Sequence, residues 1–190
     1  RVARSLSSMG LEARIGKAAA VFERLRPIWK SGTIRNDMKL RLYQSIVLPT
    51  TIYAGETWKR TAAISNKLDV FHRRCLRTIL GISWKDHITN EELMKRAGME
   101  DLRDIVSTRR RRFAGHVMRL PKERPAKIAM RGTPTGGRRK RGRPKTTWRK
   151  TFQEDLEEMG IDWNSAQSAA TDRSRWRSLV ARCSSRSGRN

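Results

Sequence analysis

An all-α chain is the expectation, and three features of the sequence carry it. Apolar residues recur at steps of three and four along most of the length. Residues that start or stop helices punctuate those stripes, and no stretch shows the alternation of a half-buried strand. With 190 residues and 37% hydrophobic content, the chain can bury one or two small cores.

Leu11, Ile15, Ala18, Phe22, Leu25 and Trp29 form the first stripe, on a helix that Pro27 kinks or ends before Gly32. A second helix starts near Asn36 or Asp37 and runs through Leu42, Ile46 and Ile52, bent at Pro49. A third covers about residues 62–80, burying Leu68, Phe71, Cys75, Leu76 and Ile79, and stops at Gly81. In "TNEE", Thr89 and Glu92 spell a capping box for a short helix ending at Gly98. "DLRDIVSTRRRRFAGHVMRL" follows as a longer helix with Leu102, Ile105, Val106, Phe113 and Val117 on its apolar side. After Pro121 the chain turns loop-like and dense in Gly and Pro. Trp148, Phe152, Leu156 and Met159 then mark a helix ended by Gly160, and Trp176, Leu179, Val180 and Cys183 mark the last one. The expected organisation is a helical bundle over residues 1–120, a basic Gly/Pro-rich loop or linker over 121–146, and a small C-terminal helical unit over 147–190.

Charge points to the class of partner. Lys plus Arg number 43 against 18 Asp plus Glu, a formal net charge of +25. Such a chain seeks polyanions, nucleic acid before a membrane surface. The excess is central: residues 103–150 carry 18 basic and 2 acidic groups, whereas 151–190 balance at 6 and 6. No stretch is long and apolar enough for a transmembrane helix, and no apolar region near the start suits a signal peptide. The chain reads as soluble and intracellular, with no membrane partner. Its Arg- and Ser-rich start resembles a transit peptide, but the missing initiator Met favours a chain cut from something longer.

Cys75 and Cys183 are expected to be thiols. His72 and Cys75, with Cys183 and His116 as distant partners, could supply zinc ligands, but the two close pairs typical of zinc modules are lacking. Core packing is the better account of Cys75.

Four consecutive arginines, Arg109, Arg110, Arg111 and Arg112, fan around most of their helix. Phosphate contact is favoured over a merely solvated face because of the neighbouring charge, with Arg109 nearest the apolar stripe and snorkelling along it. The segment "RRKRGRPKTTWRK" holds eight cations and no carboxylate. Arg138, Arg139, Lys140, Arg141, Arg143 and Lys145 are candidate phosphate ligands. Gly142 lets the backbone approach a phosphate or groove floor, and Pro144 pushes Arg143 towards extended geometry. The tryptophans are expected mainly in cores. Trp148 is kept as a base-stacking candidate because Lys145, Arg149 and Lys150 could hold a nucleic acid against its ring. Arg141-Gly142-Arg143-Pro144 also resembles an AT-hook, and the same cluster would serve as a nuclear localisation signal.

Five blocks in order, "LRLYQSIVLPTTIYAGETWK", "FHRRCLRTILGISWKDHITNEEL", "RRRRFAGHVMRLP", "RGRPKTTWRK" and "DRSRWRSLVARC", resemble the C-terminal region of reverse transcriptases from LINE-type, non-LTR retrotransposons, in particular the RTE-like group. The resemblance implies a helical thumb followed by a basic C-terminal segment, beside an upstream palm domain. The parent would be an endonuclease and RNA-directed DNA polymerase whose palm binds Mg2+. Nothing here resembles the palm's Asp-Asp motif, and no two aspartates are adjacent. Two-metal phosphoryl transfer needs such carboxylates, so this part is expected to be non-catalytic and to need no cofactor. Its expected role is to hold template RNA or target DNA. The alternatives are a free-standing DNA-binding protein with an AT-hook-like loop and a decayed transposon fragment without activity.

Overall fold

The structure is a computed structural model that describes residues 2–131 and 147–187. Every regular element among the described residues is helical, and none is a strand. They group into two compact units: Arg1–Ala54 with Thr61–Ile105, and Gly55–Arg60 with Val106–Asn190. The division differs from the expected boundary near residue 120, because it falls inside a helix and assigns a short internal segment to the second unit.

The first unit begins with α1 (Val2–Arg24) and α2 (Arg26–Lys30). Pro27 separates them as expected, and Leu25 at the break has φ −89° and ψ 8°. Across the break the Trp29 indole donates to the Phe22 carbonyl at 2.8 Å. Then α3 (Asn36–Leu42), a π-helical turn (Tyr43–Val47) and α4 (Leu48–Thr51) form one run. Pro49 offers no N–H to the Ser45 carbonyl, and its ring would collide with that carbonyl in a regular helix. The turn widens just ahead of it. Lys39, Tyr43, Val47 and Thr51, at steps of four, consequently all stay buried, whereas a regular helix drifts by about 40° per such step. Ile46, expected along this run, is left exposed.

Capping chemistry sets the next elements. The Thr61 hydroxyl accepts from the Ile64 N–H to start α5 (Ala62–Leu80), and Gly81 at φ 68° ends it. Thr89 likewise starts α6 (Asn90–Ala97), which Gly98 ends. Only half of the expected capping box forms there, because Glu92 turns instead to Arg96 at 2.8 Å. A complete box occurs at Ser83 and Asp86, around the 3-10 turn Trp84–Asp86. The buried Asp69 of α5 accepts from the Arg103 N–H at 3.5 Å, and Arg73 pairs with Asp101 at 2.8 Å, fixing the start of α7 (Leu102–Arg119).

An aromatic row crosses the core of this unit. Trp29 stacks on Phe22 at 5.1 Å, Phe22 meets the edge of Tyr43 at 6.3 Å, and Tyr43 stacks on His72 at 5.6 Å. The Tyr43 hydroxyl and His72 Nδ1 are 2.7 Å apart. Burial pushes the Tyr43 phenol up and His72 down to about 4, so the phenol donates to a neutral imidazole. Burial also pushes the Cys75 thiol up to about 12, consistent with its place in the core.

The second unit holds the rest of α7, then α8 (Pro125–Arg131), α9 (Trp148–Met159), α10 (Trp163–Thr171) and α11 (Arg173–Ser187). Two of these escaped the sequence reading. α8 lies in the stretch expected to be loop, with Pro125 opening its first turn. Its buried Lys127 donates to the carbonyls of Met118 and Leu120, satisfying the end of α7. α10 is marked by Asp162, whose carboxylate accepts from the N–H groups of Ser165 and Asn164, and by the buried alanines 166, 169 and 170. The core gathers Val117, Met118, Phe152, Leu156, Met159, Trp176 and Val180 around these alanines. The segment Gly55–Arg60 straps onto α9: the Trp148 indole donates to the Glu56 carbonyl at 2.8 Å, and the Arg60 N–H to Thr151 Oγ1 at 2.9 Å.

Two outcomes test this packing. His72 titrates near 6.5 when unfolded and near 4 when folded, so the unfolded chain takes the proton first as pH falls. Stability should therefore drop by about 3 kcal/mol between neutral pH and the folded value. Urea titrations across that range should show His72→Gln flattening the dependence; an unchanged slope would contradict the buried neutral imidazole. A Cβ at Gly115 would lie 2.2 Å from Nε1 of Trp176. Gly115→Ala should therefore destabilise the second unit by about 1–3 kcal/mol, read from its unfolding midpoint.

Candidate nucleic-acid interface

The arginine run divides by helical phase. Arg110 follows Val106 by four and precedes Phe113 by three, so it falls on the apolar stripe itself. Its side chain is 2% exposed and Asp155 of α9 is 0% exposed. Nε and Nη2 of Arg110 donate to the two Asp155 oxygens at 2.5 and 2.9 Å, and Nη2 also reaches Ser107 Oγ at 3.2 Å. Arg111 is buried too, paired with Glu158 and 3.6 Å from Asp155. From the strap, Arg60 reaches Glu158 at 2.6 Å and Glu154 at 3.3 Å. Three arginines and three carboxylates thus pair within the unit, Arg110, Arg111 and Asp155 buried and Arg60, Glu154 and Glu158 nearer solvent.

These positions correct two expectations. Arg110, not Arg109, lies against the apolar stripe, and Arg109 is exposed. Arg110 and Arg111 are occupied internally and do not face solvent as phosphate ligands. Their exposed neighbours Arg109 and Arg112, with His116, share one outer stripe of α7 at spacings of three and four.

Trp148 is also corrected. It is half-buried, stacked on Phe152 at 5.4 Å with its N–H given to Glu56, and so serves the core instead of offering a free face. Arg149 is exposed and lies over the Trp163 ring at 5.2 Å, while Lys150 is exposed. Arg138, Arg139, Lys140, Arg141, Gly142, Arg143 and Lys145 lie outside the described residues.

α11 supplies a basic surface that the sequence reading missed. Trp176 sits against Gly115 and donates to the Arg111 carbonyl at 3.0 Å, setting α11 beside α7. Arg173, Arg175, Arg177 and Arg182 of α11 are exposed, and the helix contains no acidic residue. Arg119 donates to the Ala170 carbonyl at 2.9 Å, and burial followed by repulsion from Arg173 lowers its pKa. The balanced count over residues 151–190 hid this sorting. Its carboxylates lie between Glu154 and Asp172, and its arginines begin at Arg173. Counting by helix instead of by segment would have found it.

Among the described residues, no group of three or more His, Cys, Asp and Glu is placed to hold a metal ion. None of their helices is long and apolar enough to cross a membrane. His72 is engaged by Tyr43, and the Cys183 thiol lies 3.3 Å from the Glu158 carbonyl.

Breaking the buried pair from one side leaves an uncompensated charge. Asp155→Ala should accordingly destabilise the unit by about 3–5 kcal/mol in chemical denaturation. Pairing Arg110→Met with Asp155→Leu should recover much of that loss. Equal losses in the single and double variants would refute the coupling.

No family model matches the chain. No solved structure matches it either. It is similar to an uncharacterized transposon-derived protein of Caenorhabditis elegans, at 25% identity over 158 residues that cover 77% of this chain. The chain spans 56%, about half, of that relative's length.

Proposed function

We propose that this chain is the nucleic-acid-holding, non-catalytic C-terminal part of a non-LTR retrotransposon reverse transcriptase. The outer surfaces of α7 and α11 grip the backbone of template RNA or target DNA. The observation that carries the reading is the separation of charge in the second unit. Asp155, Glu158 and Glu154 face Arg110, Arg111 and Arg60, whereas Arg109, Arg112, Arg173, Arg175, Arg177 and Arg182 face solvent. Guanidinium groups on two packed helices suit a regular array of phosphates and need no base-specific contact.

Similarity to a transposon-derived protein supports the mobile-element origin, and the five ordered sequence blocks support the reverse-transcriptase assignment. The cations of residues 138–145 would extend the same grip. Catalysis would reside in a palm upstream, where Mg2+ would be held.

The decisive measurement is salt dependence. Replacing Arg109, Arg112, Arg173 and Arg177 by Ala should make the slope of log affinity against log salt shallower by about 3.6 on duplex DNA, since each phosphate contact contributes about 0.9. A slope identical to that of the parent chain would remove these helices from the interface. Supplied with primer, template, nucleotides and Mg2+, the chain should extend no primer. Extension abolished by replacing one of its acidic residues would overturn the non-catalytic assignment.

A further inference from the structure

We infer that the first unit carries a separate site that selects single-stranded nucleic acid by stacking a base on Tyr53. The inference rests on the nucleic-acid reading above but concerns another surface.

A groove of about 580 Å³ lies between α1 and α4, lined by Gly10, Arg14 and Lys17 on one side and Pro49, Thr50 and Tyr53 on the other. Gly10, Arg14 and Lys17 follow one another by four and three, so they share one face of α1. A Cβ at Gly10 would come within 2.9 Å of the Arg14 guanidinium, so the glycine leaves that group its place along the helix. The acidic residues of α1 lie elsewhere in the pairing scheme, Glu12 with Lys67 and Glu23 with Arg26. The lining of the groove includes Arg14 and Lys17 and no carboxylate.

Its aromatic wall stands open to solvent. Tyr53 is 70% exposed, whereas the other tyrosine, Tyr43, is fully buried. The residue after it, Ala54, has φ 55°, a left-handed conformation that disfavours a side chain. Backbone held there next to an exposed ring is the kind of local cost found where a side chain is presented to a ligand. An exposed ring beside a groove lined by Arg14 and Lys17 matches the demands of an unpaired strand, which offers a free base face and a flanking phosphate together. A duplex keeps its bases stacked on one another and cannot occupy Tyr53 in this way. A peptide partner would give the ring and Lys17 no common reason to sit side by side.

The test compares a labelled oligothymidylate with a mixed-sequence duplex, using the full chain and fluorescence anisotropy. Tyr53→Ala should weaken the single strand roughly 5- to 150-fold, the range for loss of one base–aromatic stack, and leave the duplex unchanged. Tyr53→Phe should retain single-strand affinity. Lys17→Ala should make the single-strand salt slope shallower by about 0.7. Loss of duplex and single-strand affinity in equal measure, or of neither, in Tyr53→Ala would overturn the site while leaving the α7 and α11 surface standing. A parent chain that binds neither ligand would overturn both readings.

Discussion

The second unit depends on the buried contact between Arg110 and Asp155. An arginine in the middle of a basic run enters the interior only because α9 brings a carboxylate to meet both arms of its guanidinium. Once that pair forms, Arg111 and Arg60 converge on Glu158, and the strap Gly55–Arg60 is drawn onto the same helix. Against well-packed apolar residues such a cluster adds little net stability, because both charges lose their water. What it supplies is register. Shifting α9 by one residue relative to α7 would leave Arg110 and Arg111 facing the wrong side chains.

The same contact explains the outer surface. Arg110, Arg111 and Arg60 take up Asp155, Glu158 and Glu154 of α9, which leaves Arg109 and Arg112 outside that cluster. Trp176 and Gly115 then bring an acid-free helix, α11, alongside. The exposed arginines of α7 and α11 thus reflect which cations the α9 carboxylates take up as much as the composition.

The sequence made most helices legible because their ends are written in local chemistry. Gly81, Gly98 and Gly160 all adopt positive φ where the stripes end, and Thr61 and Thr89 accept from backbone N–H groups where stripes begin. α10 was not legible, since its alanines and serines form no conspicuous stripe and only close packing makes the alanines core. α8 was masked by the prolines and cations around it. Within the arginine run, counting from Val106 distinguishes Arg110 from Arg109, but the partner that makes its burial tolerable is 45 residues away. Trp148 looked available beside its cations because nothing local announces the Glu56 carbonyl that claims its N–H. The groove at Tyr53 was equally hidden, since it takes two helices to make it.

The strap has a consequence for the order of events during synthesis. Residues 55–60 leave the ribosome within the first unit's own sequence, yet their partners Trp148, Thr151, Glu154 and Glu158 follow roughly ninety residues later. The first unit has its whole sequence once Ile105 has emerged and can close around an unfinished internal loop. That loop waits, with the Arg60 charge unanswered, until α9 arrives. Neither unit can be excised as one continuous piece without losing the strap or the partners that hold it.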